Sequence, residues 1–202
     1  MTQTSDNLPK IFAVVLAAGE GNRFGSTKQL LQVNASGDGE TMVSRAARLA
    51  AECCGEYSLL VVGHDSNHVA ASAAPHCRFI AVNDRYADGL GTTIARATLS
   101  LAHVADAMLL MLADQPKITA KHLRELTAAW TAKSRHIVVT AFGDSVGPPA
   151  ILPRGTFGAL RKLAGNQGAK VLFGDPTFLV TTVRLQDAAV DIDTPGDLEA
   201  ID

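Results

Sequence analysis

Two cations and one carboxylate stand in settings that suit phosphate chemistry. Arg23 and Lys28 belong to VVLAAGEGNRFGSTKQLL, residues 14–31, an apolar run that breaks into a loop with three glycines. Glycines let backbone N–H groups turn toward one anion, while an arginine fork and a mobile lysine can track oxygens on different phosphates. Asp114 follows the apolar run LLML, so its backbone is fixed at the end of a buried segment. Mg²⁺ prefers such carboxylate oxygens, and the alternative for Asp114 is a turn or capping residue.

The glycine spacing fits neither of two common phosphate-binding loops. A Walker A loop needs GxxxxGK[ST], whereas two residues separate Gly25 from Lys28 here. A dinucleotide loop needs GxGxxG; Gly19 and Gly21 match it, but the third glycine comes one residue late, and no acidic residue closes a second strand about 20 residues on. This argues against a nicotinamide-dependent dehydrogenase. A longer anion-binding loop and a solvated loop with two surface cations both remain open.

Composition describes a globular chain of one domain. The 202 residues are 47% apolar and 19% charged, and the formal net charge of −2 gives no field that would recruit nucleic acid. No apolar stretch reaches the roughly 18 residues of a membrane span. The odd cysteine count (Cys53, Cys54 and Cys77) predicts inert, reduced thiols in a cytoplasmic protein. Residues 1–10 are expected to form a flexible tail and residues 11–202 a single domain.

Strand-like and helix-like segments alternate along most of the chain. Runs rich in Val, Ile and Leu predict strands at residues 11–18, 57–62, 78–82, 107–113 and 136–142. Helices are predicted between them at residues 41–52, 66–73, 91–103 and 119–132, with Thr119 as an N-cap and Trp130 in the core. This alternation predicts an α/β protein with a mostly parallel sheet.

The rhythm changes after residue 142. GDSVGPPAILPR, residues 143–154, predicts a loop and then a short strand. Two short helices at residues 157–163 and 168–173, a strand at residues 177–184 and a last helix capped by Thr194 complete the prediction.

Five short motifs, taken in order, resemble those of nucleotidyltransferases. LAAGEGNRFGSTKQLL resembles the signature LAAGxGxRxGxxK, and MLLMLADQP, residues 108–116, resembles the metal-binding segment of these enzymes. GPPAILPR (147–154) resembles their acceptor loop, NQGAK (166–170) a GDKGAR segment, and DIDTPGDL (191–198) a C-terminal motif. Together they cover roughly residues 11–200 and most resemble the molybdenum cofactor cytidylyltransferases of the molybdopterin nucleotidyltransferase family.

That resemblance implies a Rossmann-like three-layer nucleotidyltransferase fold and a reaction. The enzyme would use Mg²⁺ to transfer CMP from CTP to the terminal phosphate of molybdopterin, releasing pyrophosphate, and its product would pass to a molybdenum hydroxylase. Ala18 in LAAG favours CTP over GTP, because guanylyl relatives more often show LAGG. Pro148 stands where the cytidylyltransferases often have Asn. This departure keeps open a sugar phosphate or methylerythritol phosphate as acceptor; a molybdopterin carrier without catalysis is a further alternative.

The resemblance also implies a role for individual residues. Arg23 and Lys28 would stabilise the departing pyrophosphate, and Asp114 would hold the metal with Asp193 as a weaker second ligand. The nucleotide-binding residues would be Leu16, Ala17, Ala18, Gly19, Gly21, Thr92 and Thr93. The acceptor-binding residues would be Gly147, Pro149, Arg154 and Lys170. Residues 11–115 would form a nucleotide-binding half and residues 116–202 an acceptor-binding half. The alternative role for the two threonines is helix capping, and the alternative for Arg154 and Lys170 is that they are surface cations.

Overall fold

One seven-stranded sheet organises the chain. The computed structural model describes residues 9–20, 27–33 and 39–189. The strands are β1 (Ile11–Ala17), β2 (Ser58–Val62), β3 (Phe79–Val82), β4 (Ala107–Leu112), β5 (Ile137–Phe142), β6 (Ser145–Pro153) and β7 (Val180–Arg184). They lie in the order β3-β2-β1-β4-β6-β5-β7, and β6 runs antiparallel to both neighbours while the other six share one direction.

Helices cover both faces of this sheet. They are α1 (Met42–Cys54), α2 (Ser66–Ala73), α3 (Leu90–Leu101), α4 (Ala120–Ala132) and the single-turn α5 (Phe157–Leu160). Side chains of α1, α2 and α4 share one hydrophobic core with the sheet, and those of α3 and α5 share the other. The three layers confirm the predicted α/β class with a Rossmann-like, mostly parallel sheet.

Burial on both faces explains why the strands read as continuous apolar runs. In β1, Ala13 and Val15 enter the core beneath α1, whereas Phe12 and Val14 enter the core beneath α3. Six of the seven positions of β1 are buried, so no polar alternation appears in it. None of the helices within the described ranges is long and apolar enough to cross a bilayer.

The helix starts follow local capping chemistry. The Thr41 Oγ1 accepts a hydrogen bond from the Ser44 N–H at 3.2 Å, which begins α1. Thr119 caps α4 as predicted, because its hydroxyl accepts from the His122 N–H while the His122 ring accepts from the Thr119 N–H. Trp130 is 2% exposed, which confirms its prediction as a core residue.

The segment after residue 142 corrects the prediction of a loop with a short strand. It forms β6, nine residues long and central in the sheet. The register steps from the pair Val139–Ala150 to the pair Thr140–Gly147, so Pro148 and Pro149 oppose no residue of β5. A bulge thus accommodates two residues that cannot donate to a strand ladder. Residues 168–173 contain a 3₁₀ turn, Ala169–Leu172, and the predicted helix at Thr194 lies outside the described residues.

Candidate active site

A cavity of about 420 Å³ opens at the carboxyl ends of β1 and β4. Strand order explains its position, since these two strands are neighbours in the sheet and end at the same edge. Ligands of open α/β sheets bind at this edge. The residues that line it include Leu16, Ala18, Gly19, Lys28, Gln29, Thr93, Asp114 and Asn166.

Lys28 and Asp114 meet at this cavity. The Lys28 Nζ lies 2.9 Å from the Asp114 Oδ2, and the two side chains are 11% and 31% exposed. Lys28 begins the 3₁₀ turn Lys28–Leu30, and Asp114 follows the end of β4. The structure therefore brings together two residues that the sequence places in the catalytic set.

Two buried oxygens at the cavity lack a protein donor. Among the described residues, neither the Asp114 Oδ1 nor the Gln29 Oε1 has a hydrogen-bond partner. The Gln29 amide is oriented by its Nε2, which donates to the Gly19 carbonyl at 3.0 Å. A buried acceptor without a partner costs free energy, so each oxygen is suited to a ligand that brings a donor or a cation.

The donor set at Asp114 fits a divalent cation that is held mostly by substrate. No group of three or more His, Cys, Asp or Glu side chains that could hold a metal occurs in the described part of the chain. A single carboxylate with phosphate and water oxygens is the usual arrangement for Mg²⁺ in phosphoryl chemistry. The unpartnered Asp114 Oδ1 is the atom that could supply that one protein ligand.

Asn83 fixes the start of α3 at the other wall. Its Nδ2 donates to the hydroxyl oxygens of Thr92 and Thr93, at 3.0 Å each. The Thr92 hydroxyl in turn donates to the carbonyls of Arg85 and Gly89 at 2.8 Å. Thr92 is thus tied to backbone, whereas Thr93 lines the cavity. Sequence reasoning missed Asn83, because a lone asparagine after a strand carries no distinguishing pattern.

Residues 13–181 match the MobA-like NTP transferase domain. The chain belongs to this family. It is therefore a nucleotidyltransferase, and the predicted superfamily is confirmed at this level.

Individual relatives span nearly the whole chain. The nicotine blue oxidoreductase of Paenarthrobacter nicotinovorans is 28% identical over 201 residues, which cover 93% of this chain and 94% of that protein. The crystal structure of the Mycobacterium sp. strain JC1 homologue of Rv0371c is 28% identical with a TM-score of 0.77, covering 95% of this chain and 94% of the other. Rv0371c of Mycobacterium tuberculosis, solved with manganese, is 24% identical with a TM-score of 0.74, covering 95% and 97%.

The nucleotidyltransferase positions its LAAG residues at the end of β1. Leu16, Ala18 and Gly19 line the cavity, whereas the Ala17 side chain packs into the core beneath α1. Gly21, and with it Arg23 and Asp193, lies outside the described residues.

The segment 164–166 reaches the nucleotidyltransferase cavity from the second half of the chain. The Gly91 N–H at the start of α3 donates to the Gly165 carbonyl at 2.8 Å. A Cβ on Gly91 would lie 2.7 Å from the Ala164 nitrogen, so only glycine permits this approach. Asn166 consequently joins the cavity wall.

The four predicted acceptor residues of the nucleotidyltransferase are not brought to one place. Gly147 and Pro149 lie on β6 near the cavity edge, where the Gln115 Nε2 donates to the intervening Pro148 carbonyl at 3.1 Å. Lys170 is exposed on its 3₁₀ turn and is not among the described residues that line the cavity.

Arg154 lies at the opposite edge of the sheet, away from Gly147 and Pro149. Its Nη2 lies 3.4 Å from the Oδ1 of Asp106, the residue before β4, whereas Asp114 follows that strand. The antiparallel direction of β6 is the reason, because it carries the chain away from the cavity before Arg154 is reached.

Proposed function

We propose that the chain transfers CMP from CTP to the terminal phosphate of molybdopterin and releases pyrophosphate. The observation that carries this proposal is the Lys28–Asp114 pair at the 420 Å³ cavity, in a chain of the MobA-like family. Ala18 in LAAG supports CTP over GTP, and the ordered motifs support molybdopterin as acceptor. The three cysteines are free thiols, which supports a reducing, cytoplasmic setting. A molybdenum hydroxylase is proposed as the recipient of the product from the family resemblance.

Lys28 is assigned to the leaving group. An oxygen of the acceptor phosphate attacks the α-phosphorus in line, the bond from the α-phosphorus to the bridging oxygen breaks, and pyrophosphate leaves with that electron pair. A preorganised ammonium stabilises the charge that develops there, which is worth about 3 kcal/mol or roughly a hundredfold in rate. Arg23 is proposed for the same task from the sequence.

Asp114 is assigned to the divalent cation. When bound, Mg²⁺ neutralises phosphate charge along the triphosphate. Lys28 holds the Oδ2 of the carboxylate and so presents the Oδ1 in one orientation. Asp193 is proposed as a second ligand from the sequence.

The remaining residues are proposed to bind either the nucleotide or the acceptor substrate. The backbone at Leu16, Ala18 and Gly19 and the hydroxyl of Thr93 are proposed to surround the nucleotide. Gly147 and Pro149 are proposed to form the wall for the acceptor. We place the nucleotide half at residues 11–115 and the acceptor half at residues 116–202, with Asn166 crossing between them.

A turnover assay tests this function. Pyrophosphate release is measured with CTP, GTP or ATP, with Mg²⁺, and with molybdopterin, a sugar phosphate or methylerythritol phosphate as acceptor. We expect the highest rate with CTP and molybdopterin. Faster pyrophosphate release with another acceptor would identify that compound, and not molybdopterin, as the acceptor. If no triphosphate gives pyrophosphate release, a molybdopterin carrier is favoured. Tight binding of NADH in a titration would contradict nucleotidyl transfer.

A further inference from the structure

Asp65 occupies an unusual place at the corner between β2 and α2. Its backbone is left-handed, with φ 48° and ψ 39°, and no other described residue besides glycine has a positive φ. It stands at the N-cap of α2, yet its side chain makes no capping hydrogen bond. An aspartate at this position normally accepts from the first turn of the helix. The residue therefore carries backbone strain and lacks the backbone cap that an aspartate usually supplies there.

The Asp65 carboxylate instead bonds two side chains, one on α2 and one outside it. Its Oδ2 accepts from the Thr27 hydroxyl at 3.0 Å, and its Oδ1 lies 2.6 Å from the His68 Nδ1. These hydrogen bonds, with that from His68 the larger, lower the pKa of Asp65 and keep the carboxylate ionised. One oxygen is thus held by α2 and the other points to the chain segment that carries Lys28.

Thr27 connects this corner to the candidate active site. It directly precedes Lys28, and it is the N-cap residue of the turn Lys28–Leu30 without a side-chain bond to that turn. Its hydroxyl is engaged with Asp65, 38 positions further along the chain. Asp65 is therefore hydrogen-bonded to Thr27, the chain neighbour of Lys28, and Lys28 is in turn paired with Asp114.

We propose that Asp65 is a positioning residue: by holding the Thr27 hydroxyl it fixes where the Lys28 ammonium lies along the triphosphate. The inference rests on the proposed function of Lys28. It gives the left-handed backbone at Asp65 a role, since in that conformation the carboxylate reaches Thr27 as well as His68. His68 holds the second oxygen and keeps the carboxylate from rotating.

The test compares Thr27→Val with Thr27→Ser, and Asp65→Gly with Asp65→Asn. Glycine keeps the left-handed backbone without a carboxylate, and asparagine keeps an acceptor for Thr27. We expect kcat for CTP with molybdopterin to fall on the order of tenfold in Thr27→Val and Asp65→Gly, and to stay near the parent value in the two conservative variants. Thr131→Val is the matched control, because that hydroxyl donates only within α4.

A double-mutant cycle separates positioning from a general loss of structure. In a Lys28→Met background, Thr27→Val should cause no further loss, whereas a structural defect would add to it. Parent-like kcat in Thr27→Val and Asp65→Gly, or additivity with Lys28→Met, would overturn the proposal.

A substrate-free measurement distinguishes this failure from failure of the proposed function. The rate at which an amine-selective reagent labels Lys28 should rise at least severalfold in Thr27→Val and Asp65→Gly, because the ammonium is no longer held against Asp114. An unchanged labelling rate would overturn positioning even if CTP is turned over. Faster labelling in a chain that releases no pyrophosphate would support positioning while refuting the proposed function.

Discussion

The Lys28 ammonium lies 2.9 Å from the Asp114 carboxylate, although the two residues are 86 positions apart in the chain. Adjacent strands β1 and β4 create this pair, because the segments that follow them emerge at one edge of the sheet. Lys28 is largely shielded from water, so the attraction is screened less than in a surface ion pair. The pair presents one free carboxylate oxygen and one cation toward the same cavity.

Removing the cation is expected to slow turnover without unfolding the chain. Lys28→Met should lower CTP-dependent pyrophosphate release roughly a hundredfold, because a preorganised charge at the leaving group is lost. Thermal unfolding of the variant should stay within a few degrees of the parent. Lys162→Met, which changes an exposed lysine, serves as control. A large drop in melting temperature in Lys28→Met alone would indicate a structural role instead.

The two aspartates that flank β4 provide a matched pair for the metal. Asp114→Asn should weaken Mn²⁺ binding in the presence of CTP by on the order of tenfold or more, because a neutral amide replaces the carboxylate. Asp106→Asn changes the residue at the other end of the strand and should leave Mn²⁺ affinity unchanged. Paramagnetic titration of Mn²⁺ measures both. Equal affinity in the two variants would remove Asp114 from the metal site.

Gly91 is expected to be intolerant of a side chain. A Cβ there would lie 2.7 to 2.8 Å from backbone atoms of Ala164, so Gly91→Ala must displace the segment that contributes Asn166. We expect a loss of about 1–3 kcal/mol in unfolding free energy. Gly158→Ala is the control, since nothing lies within 4 Å of its Cβ and the change should be neutral or slightly stabilising. Thermal denaturation distinguishes the two, and equal melting temperatures would contradict the close approach.

Cys77 is expected to be unreactive. Burial raises the pKa of its thiol from 9.0 to about 11, so the thiolate fraction at pH 8 falls roughly a hundredfold. Iodoacetamide should therefore label Cys77 far more slowly in the native chain than in guanidinium, as mass spectrometry can measure.

The same shift in the Cys77 pKa sets a pH dependence of stability. The unfolded chain releases this proton near pH 9, whereas the folded chain holds it to about 11. The contribution of the Cys77 thiol to the free energy of unfolding is therefore complete below pH 9 and is lost as the pH rises toward 11. Equal labelling of the native and unfolded chains would contradict both expectations.

Strands buried on both faces were the most readable part of the sequence. The predicted run at residues 11–18 differs from β1 by one residue, and the predicted helix at residues 66–73 coincides with α2. These elements follow from uninterrupted hydrophobic patterns and local caps. β6 could not be predicted in the same way, because the bulge that accommodates Pro148 and Pro149 depends on the register with β5.

Residues of the candidate site could be predicted from the sequence only where they belong to a recognisable motif. Lys28 and Asp114 belong to recognisable segments, and the structure brings them within hydrogen-bonding distance. Arg154 stands only a few residues after Pro149, but strand direction places it at the far edge. Gln29 and Asn83 carry no local signal, since their importance comes from what packs around them. The roles of such residues can be recognised only in the folded structure, where segments distant in the sequence lie together.

The hairpin of β5 and β6 turns at Gly143 and Asp144, on the same edge as the cavity. A tip of this kind accepts insertions and exchanges more readily than the strands that it joins. Grafting tips from relatives would change the surface near Pro149, the proposed acceptor wall, while leaving Lys28 and Asp114 in place. Under the proposed assignment, the acceptor can therefore change in evolution while the residues that act on the triphosphate stay the same.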